Sequence, residues 1–152
     1  GYFYDKFTMS AMKNIVAGAY SAWDNSEYHK YMDKFGLQET QKIDTLSKGM
    51  KMKFALALAL SHHAEILILD EPSSGLDPKT RQLFCEELSE QKKKGKTIFF
   101  STHITSDLDK IGDDIILINE GRILIEAPKE DFLKKSGLQS PTIEEAMLKM
   151  IG

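Results

Sequence analysis

The sequence is short of cysteine and of long apolar stretches. Its 152 residues include one cysteine, Cys85, so the chain forms no internal disulfide and fits a reducing compartment. We interpret Cys85 as an ordinary helix residue rather than a reactive thiol. The densest apolar run, residues 54–60, is far shorter than the roughly 20 residues that cross a bilayer. The sequence therefore predicts no membrane-spanning helix.

The start of the chain and its charge set further bounds. The chain begins at Gly1 without an initiator Met or a signal-peptide pattern, and we expect it to be a fragment of a longer protein. A composition of 41% hydrophobic and 28% charged residues is typical of a globular domain with a core. The net charge of −3 argues against nucleic acid as the main partner.

The chain divides into two parts with different patterns. Residues 1–62 are predicted to form a helical subdomain, with helices over 9–23, 27–35 and 50–61. Residues 63–152 alternate apolar runs with helical segments, which indicates an α/β fold with a parallel sheet. The runs 66–69 and 97–100 are continuously apolar, as in strands buried on both faces. Further helices are predicted over 78–94, 105–111, 129–135 and 142–150, and a hairpin over 114–126.

Two adjacent carboxylates end the first predicted strand. Asp70 and Glu71 follow the run 66–69, and the carboxyl end of a strand is where α/β sheets bind ligands. A nucleotide-hydrolysing enzyme places its Mg²⁺ ligand and its water-activating base at such a position. We predict that Asp70 contacts Mg²⁺ and that Glu71 polarises the attacking water. The alternative is a pair that caps the helix after Pro72.

A serine and a glycine precede the third predicted helix, in the stretch 46–50. The Ser47 hydroxyl and the Gly49 backbone are suited to bind phosphate oxygens, because a helix N-terminus favours anions. Taken alone, Ser47 is equally well explained as a plain N-cap. Its place shortly before the acidic strand favours the phosphate contact.

A third polar group follows the second strand, at Ser101-Thr102-His103. His103 is the candidate for contact with the terminal phosphate, and the alternative is a polar residue with a local partner. The other histidines, His29, His62 and His63, lack such a context, and no metal-ligand spacing emerges from them.

The sequence lacks a phosphate-cradling P-loop. Gly95-Lys96-Thr97 resembles the end of one, but position 90 is Glu where a P-loop has Gly. This glycine also follows a predicted helix, whereas a P-loop precedes one. We interpret residues 95–97 as a helix-to-strand turn.

Together the stretches 46–50, 66–77 and 101–103 resemble the signature, Walker B, D-loop and switch-histidine motifs of ABC-type ATPases. The family pattern Leu-Ser-Gly-Gly-Gln matches at Ser47 and Gly49, whereas Lys48 and Met50 depart from it. The resemblance implies an incomplete P-loop NTPase-like core, ATP and Mg²⁺ as cofactors, and Asp77 at the interface with a second ATPase domain. Asp77 is also a plausible N-cap of the helix that begins at Pro78.

The sequence of residues 46–53 resembles that of bacterial export ATPases. The resemblance implies a membrane-spanning transporter subunit as partner, no nucleic acid, and a cytoplasmic location on the inner face of the cell membrane. The aromatic residues Tyr2, Phe3, Tyr4 and Phe7 either receive that partner or pack locally. In the family, Walker A, the adenine-stacking segment and the Q-loop glutamine precede the region present here. We therefore expect the chain alone neither to hold ATP well nor to hydrolyse it.

The family sheet contains the P-loop strand beside the switch-histidine strand. Without it, we expect unpaired edges and exposed apolar surface, and hence self-association, swapping or rearranged C-terminal strands. Two other functions compete with the transporter ATPase. A condensin- or repair-type ATPase has a long coiled coil, but residues 1–45 show no sustained heptads. A non-hydrolysing interaction module is disfavoured by the intact Asp70, Glu71 and His103.

Overall fold

The computed structural model describes residues 4–151 and has an α/β architecture. In chain order, the helices and strands of this part are α1 (Met9–Ala19), α2 (Asn25–Phe35), a 3₁₀ turn (Ile43–Thr45), α3 (Lys48–Leu60), β1 (Ile66–Asp70), α4 (Pro78–Lys93), β2 (Thr97–Ser101), α5 (Thr105–Ile111), β3 (Asp114–Asn119), β4 (Arg122–Pro128), α6 (Lys129–Lys135) and α7 (Ile143–Ile151). No helix formed by residues 4–151 has the length and apolarity needed to cross a membrane.

Capping residues set the helix boundaries of the first sixty residues. The Thr8 hydroxyl accepts a hydrogen bond from the Ala11 amide at the start of α1. The Asp24 carboxylate accepts from the Ser26 and Glu27 amides, so α2 begins at Asn25, two residues earlier than predicted. The prediction that α1 continues to residue 23 is wrong, because Tyr20 has an extended backbone that ends the helix and the Trp23 amide turns back to the Tyr20 carbonyl at 3.2 Å.

The four strands of the described chain form two separate two-stranded sheets. β1 and β2 are parallel, as predicted, and their last residues, Asp70 and Ser101, are register partners. β3 and β4 form the predicted antiparallel hairpin, with an irregularity after Leu117. The expected self-association, swapping or rearrangement of the C-terminal strands stays a prediction.

The β1–β2 sheet is covered on one face only, which corrects the prediction that both strands are buried on both faces. Leu67 is 3% exposed, whereas Ile66 and Ile68 on the other face are 59% and 77% exposed. On β2, Phe99 is 56% exposed. The reason is that the apolar core that includes residues of α3 and α4 packs against one face, and no described helix covers the other. The expected open apolar surface is thus present.

Two apolar clusters form the core of the described residues. The larger runs from Met9 in α1 to Ile111 in α5 and includes Leu67 and Leu88. This cluster contains residues from both sides of residue 62, where the sequence predicts the boundary between the helical subdomain and the α/β part. That boundary remains a prediction. The smaller cluster is built around Phe132 and Ile143, between the β3–β4 hairpin and the last two helices.

Candidate functional site

The carboxyl ends of β1 and β2 lie side by side and carry the acidic pair. Asp70 ends β1 opposite Ser101, which ends β2. Glu71 follows at the bend with a φ of 45°. Asp70 is exposed and the Glu71 side chain is 40% exposed, so neither carboxylate is enclosed in hydrocarbon. Both lie at the sheet edge where parallel α/β folds bind ligands.

Ser101 contacts both acidic residues. Its hydroxyl donates to Asp70 Oδ1 at 2.6 Å and accepts from the Glu71 amide at 3.0 Å. The same amide also lies 3.1 Å from the Ser101 carbonyl oxygen. Sequence reasoning did not identify Ser101 as a site residue. The signal that points to it is strand register, because Ser101 ends the neighbouring parallel strand at the level of Asp70.

His103 contacts the side-chain carboxylate of Glu71. The imidazole Nδ1 lies 2.7 Å from Glu71 Oε2, and the two groups form an ion pair when the imidazole is protonated. Glu71 Oε2 is shielded from solvent and accepts no well-oriented hydrogen bond from the described residues. The turn that carries His103 is fixed by the Thr102 hydroxyl, which accepts from the Ile104 amide at 2.9 Å.

The turn at the start of α3 packs against the loop after β1. Ser47 caps α3, because its hydroxyl accepts from the Met50 amide at 3.2 Å. A Cβ placed on Gly49 would lie 3.1 Å from Thr80 Cγ2, and one placed on Gly75 would lie 2.8 Å from Lys48 Nζ. Close approach to Thr80 therefore favours glycine at position 49.

Asp77 belongs to the same group of residues. Its carboxylate caps α4 by accepting from the Thr80 amide at 3.0 Å. Hydrogen bonds with Thr80 also lower the pKa of the Asp77 carboxyl. The structure thus brings Gly49 and Asp77 together at Thr80, with Ser47 at the cap of the helix that contains Gly49. Asp70 and Glu71 form a second group at Ser101, which His103 joins through Glu71. The capping alternatives for Ser47 and Asp77 are realised, and they leave the phosphate and interface roles open.

A buried polar cluster anchors the loop that separates the two groups. Asp107 in α5 is fully buried and accepts from the Ser73 hydroxyl and from Arg81 Nε, the latter at 2.7 Å. Cys85 lies beside it, with Sγ 3.7 Å from Asp107 Oδ1. Burial and then the Asp107 charge raise the pKa of the Cys85 thiol to about 11. Sequence reasoning missed this cluster because its members are far apart along the chain and form no motif.

The donor set at the sheet edge fits Mg²⁺ when phosphate is present. Within residues 4–151, no three His, Cys, Asp or Glu side chains are grouped as a self-sufficient metal site. Mg²⁺ in nucleotide sites needs only one or two carboxylates, because phosphates and waters complete its shell. The Asp70 carboxylate uses one oxygen for Ser101, and the other remains for a metal or its water.

Two further sequence interpretations concern residues outside these groups. Gly95 has a φ of 85° after α4, and Lys96 Nζ donates to the Ala64 carbonyl at 2.6 Å, which agrees with a helix-to-strand turn. Tyr4 and Phe7 are 64% and 41% exposed, with ring centroids 5.4 Å apart. They contact each other and remain accessible. Tyr2 and Phe3 lie outside the described residues.

Comparisons with known proteins place these motifs in a family. A protein family described as "AAA domain, putative AbiEii toxin, Type IV TA system" matches residues 5–108. The ABC transporter ATP-binding protein NatA of Bacillus subtilis is 34% identical over 99 residues, which are 64% of this chain and 40% of NatA. The bacitracin transport ATP-binding protein BcrA of Bacillus licheniformis is 44% identical over 105 residues, covering 66% of this chain and 33% of BcrA. A solved structure of an ATP-binding subunit of an ABC transporter superposes with a TM-score of 0.86 at 27% identity, over 99% of this chain and 65% of the other.

The chain belongs to the ABC-type ATPases. Its α/β fold is that of the family, and the superposition extends over almost all its residues. The probable multidrug ABC transporter ATP-binding protein YbhF of Escherichia coli matches 97% of this chain at 30% identity, but only 27% of YbhF is covered. The chain thus spans less than half the length of these curated relatives. In this member of the family, the sheet edge with Asp70 and Glu71 is the candidate functional site.

Proposed function

We propose that this chain supplies the acid-bearing half of an ATP-hydrolysing site that drives export across a membrane. The observation that carries the proposal is the placement of Asp70 and Glu71 at the carboxyl end of β1, each contacted by the segment 101–103 at the end of β2. Such an arrangement suits phosphoryl transfer, in which positioning and electrostatics supply most of the catalysis.

Each member of this group has a proposed role. Asp70 holds Mg²⁺ directly or through water, and the metal supplies charge neutralisation at the phosphate oxygens when it is bound. Glu71 orients and polarises the water that attacks the terminal phosphate. His103 contacts that phosphate and, through its 2.7 Å contact, restrains the Glu71 carboxylate. The Glu71 side chain is 40% exposed, and this access to solvent supports its role as the residue that receives a proton from water.

The second group is proposed to act on a nucleotide held by another ATPase domain. The Ser47 hydroxyl and the Gly49 backbone lie at the start of α3, whose dipole favours phosphate. Asp77 lies beside them through Thr80 and is proposed to contact the second domain. We infer that two such domains pair, so that each nucleotide lies between one domain's cradle and the other domain's signature turn.

The phosphate cradle is proposed to come from outside residues 1–152, since this sequence contains no P-loop motif. The open face of the β1–β2 sheet supports this proposal, because Ile68 and Phe99 are apolar and exposed there. A strand and a helix packed on this face and edge would cover them. We infer that the chain alone neither holds ATP well nor hydrolyses it.

The partner and location are proposed from the relatives and the surface. NatA and BcrA are named as ATP-binding proteins of transport systems, and a related ATP-binding protein of Burkholderia orbicola is named for Nod factor export. We infer a membrane-spanning transporter subunit as partner, and a cytoplasmic position at the inner face of the membrane. The exposed Tyr4 and Phe7 are the proposed contact residues of the helical part, taken as residues 1–62.

The experiment compares the chain alone with the chain joined behind the N-terminal part of NatA, where the family places its P-loop. Phosphate release from Mg²⁺–ATP is measured for both. We expect turnover from the joined protein only, and we expect Glu71→Gln to reduce it by at least about a hundredfold. Glu126→Gln is the matched control, because Glu126 is an exposed glutamate on β4. Turnover by the chain alone that resists Glu71→Gln contradicts the proposal, and so does a folded joined protein without turnover.

A further inference from the structure

One hydroxyl group connects the two acidic residues of the site. The Glu71 amide donates to Ser101 Oγ at 3.0 Å, and Ser101 Oγ in turn donates to Asp70 Oδ1 at 2.6 Å. A serine hydroxyl has one donor and two acceptor positions, so a single side chain can make both contacts. The hydroxyl thus fixes the orientation of the Asp70 carboxylate and the backbone of Glu71 at once.

The backbone of Glu71 needs such a contact. Its φ of 45° lies in the left-handed region, which a non-glycine residue adopts only when surrounding contacts enforce it. The Ser101 hydroxyl and carbonyl both face the Glu71 amide, at 3.0 Å and 3.1 Å. Two residues further on, His103 contacts the carboxylate of the same glutamate. The segment 101–103 therefore restrains Glu71 at both its backbone and its side-chain end.

We propose that Ser101 is a positioning residue for catalysis, which orders Asp70 and Glu71 without touching the nucleotide. The inference rests on the proposed function, since it assigns Ser101 a role in that reaction. The two hydrogen bonds of the Ser101 hydroxyl do not depend on the proposed function, because they are formed within this chain. Loss of the hydroxyl removes a charge-assisted hydrogen bond to Asp70 and one of two acceptors for the Glu71 amide.

The first readout uses the 152-residue chain alone. Hydrogen exchange of the Glu71 amide and the carboxyl ¹³C signal of Asp70 are followed by NMR in Ser101→Ala and Ser101→Thr. We expect Ser101→Ala to increase the exchange rate of the Glu71 amide about fivefold, because one hydrogen bond of ordinary net strength is lost. We also expect it to change the chemical shift of the Asp70 carboxyl. Ser101→Thr keeps the hydroxyl and is expected to leave both unchanged. Thr97→Ala is the matched control, because Thr97 begins the same strand and is also exposed.

The second readout uses the chain joined to the N-terminal part of NatA. We expect Ser101→Ala to lower kcat about fivefold with an unchanged KM for ATP, because Ser101 orders the acidic pair and does not bind substrate. Ser101→Thr is expected to restore kcat. If Ser101 had only a structural role, Ser101→Ala would not lower kcat selectively at constant KM, and Ser101→Thr would not restore kcat. Denaturant unfolding curves of the variants check that they are folded.

The outcomes separate this inference from the proposed function. If the wild-type joined protein shows no turnover sensitive to Glu71→Gln, the proposed function fails and the NMR readout alone decides whether Ser101 orders the pair. If the joined protein is active and Ser101→Ala changes neither exchange nor kcat, the inference on Ser101 is overturned. A Thr97→Ala variant with the same effects overturns it as well, because the cause would then be the strand and not the hydroxyl.

Discussion

Asp107 and Arg81 form an ion pair between α5 and α4, with Arg81 Nε 2.7 Å from Asp107 Oδ1. Asp107 is fully buried and the Arg81 side chain is 26% exposed. The same carboxylate accepts from Ser73, so the pair fixes the loop after β1 to the helix that follows His103. The contact therefore links the loop that follows Asp70 and Glu71 to the helix that follows His103.

Removal of either partner of this pair is expected to destabilise the fold. Asp107→Ala leaves Arg81 and Ser73 without their acceptor, and Arg81→Met leaves a buried carboxylate without a cation. We expect a loss of about 3–5 kcal/mol in the free energy of unfolding for each. We expect the double variant to lose less than the sum, since the two residues contact each other.

Urea unfolding measures these values, and Asp33→Ala is the control. Asp33 is exposed on α2, so its replacement is expected to change stability by less than about 0.5 kcal/mol. An Asp107→Ala variant as stable as Asp33→Ala contradicts the assignment of a stabilising role to the pair.

Gly75 and Gly36 offer a matched test of the contact between Lys48 and the loop after β1. Their φ values are 67° and 66°, but a Cβ on Gly75 would lie 2.8 Å from Lys48 Nζ, whereas one on Gly36 meets nothing within 4 Å. Alanine in the left-handed region costs about 1–2 kcal/mol. Because the Lys48 ammonium ends a flexible side chain, we expect Gly75→Ala and Gly36→Ala to lose the same stability within about 0.5 kcal/mol.

The Gly75 prediction also has a functional side. Displacement of Lys48 in Gly75→Ala is expected to change the signature turn, so turnover of the joined protein falls in Gly75→Ala and not in Gly36→Ala. Thermal unfolding and phosphate release measure the two effects. The expectation is contradicted if Gly75→Ala is much less stable than Gly36→Ala and a second change, Lys48→Ala, restores the lost stability. Lys48 would then be rigidly fixed on the loop.

The charge cluster between α2 and α4 predicts a pH dependence of stability. Hydrogen bonds from Lys34 and then Lys94 lower the pKa of Glu90 from 4.5 to about 2. A carboxyl with a lowered pKa stabilises the fold fully above its unfolded value, and this contribution is lost as the pH falls from about 4.5 to about 2. Because the Glu90 side chain is 47% exposed, screening reduces the contribution to about 1 kcal/mol.

The measurement compares wild type with Glu90→Gln at pH 6 and pH 3 by urea unfolding. We expect wild type to be the more stable by about 1 kcal/mol at the higher pH, and the difference to shrink at the lower one. High salt is expected to reduce the difference at pH 6 as well. Glu130→Gln, at a side chain that is 87% exposed, is expected to show no such change. A difference that grows toward acid pH contradicts a lowered pKa of Glu90 in the folded protein.

The sequence predicts most local structure because its signals are local. Gly36 ends α2, Pro78 begins α4 and the Glu120-Gly121 pair marks the hairpin, as the structure has them. The fold class and the positions of Asp70 and His103 at neighbouring strand ends followed from the motifs. Their physical basis is that capping, turn formation and strand polarity depend on a few adjacent residues.

The contacts that need three-dimensional register could not be predicted. Ser101 lies 31 residues from Asp70, and its hydroxyl matters only because the two strands end at the same level. Asp107 is a charged residue in a charged segment, and nothing local distinguishes it as buried. The apolar run 66–69 indicates burial on both faces, yet the described helices cover one, since a strand's own sequence does not say which elements are present to cover it.

Ser47 permits a separation of its capping role from its proposed phosphate role. Its hydroxyl accepts from the Met50 amide at 3.2 Å, and aspartate caps helices as well as serine does. Ser47→Asp is therefore expected to keep the stability of wild type within about 0.5 kcal/mol, whereas Ser47→Ala loses about 1 kcal/mol. A carboxylate facing phosphate is repulsive, so Ser47→Asp is expected to abolish turnover of the joined protein while Ser47→Ala only reduces it. Equal activity of the Asp variant and wild type would assign Ser47 to capping alone.

The open face of the β1–β2 sheet predicts self-association of the chain. Ile68 and Phe99 are 77% and 56% exposed on neighbouring strands, and β2 pairs with β1 alone within residues 4–151. Exposed apolar surface beside an unpaired strand edge promotes pairing between copies. We expect the mass measured by light scattering to rise with protein concentration, and we expect the combined Ile68→Lys and Phe99→Lys changes to return it to that of a monomer. Leu148→Lys on α7 is the control, because Leu148 is 60% exposed on a helix whose backbone offers no free edge. If wild type stays monomeric over the whole range, or if Leu148→Lys disperses it equally well, the sheet face is not the surface that associates.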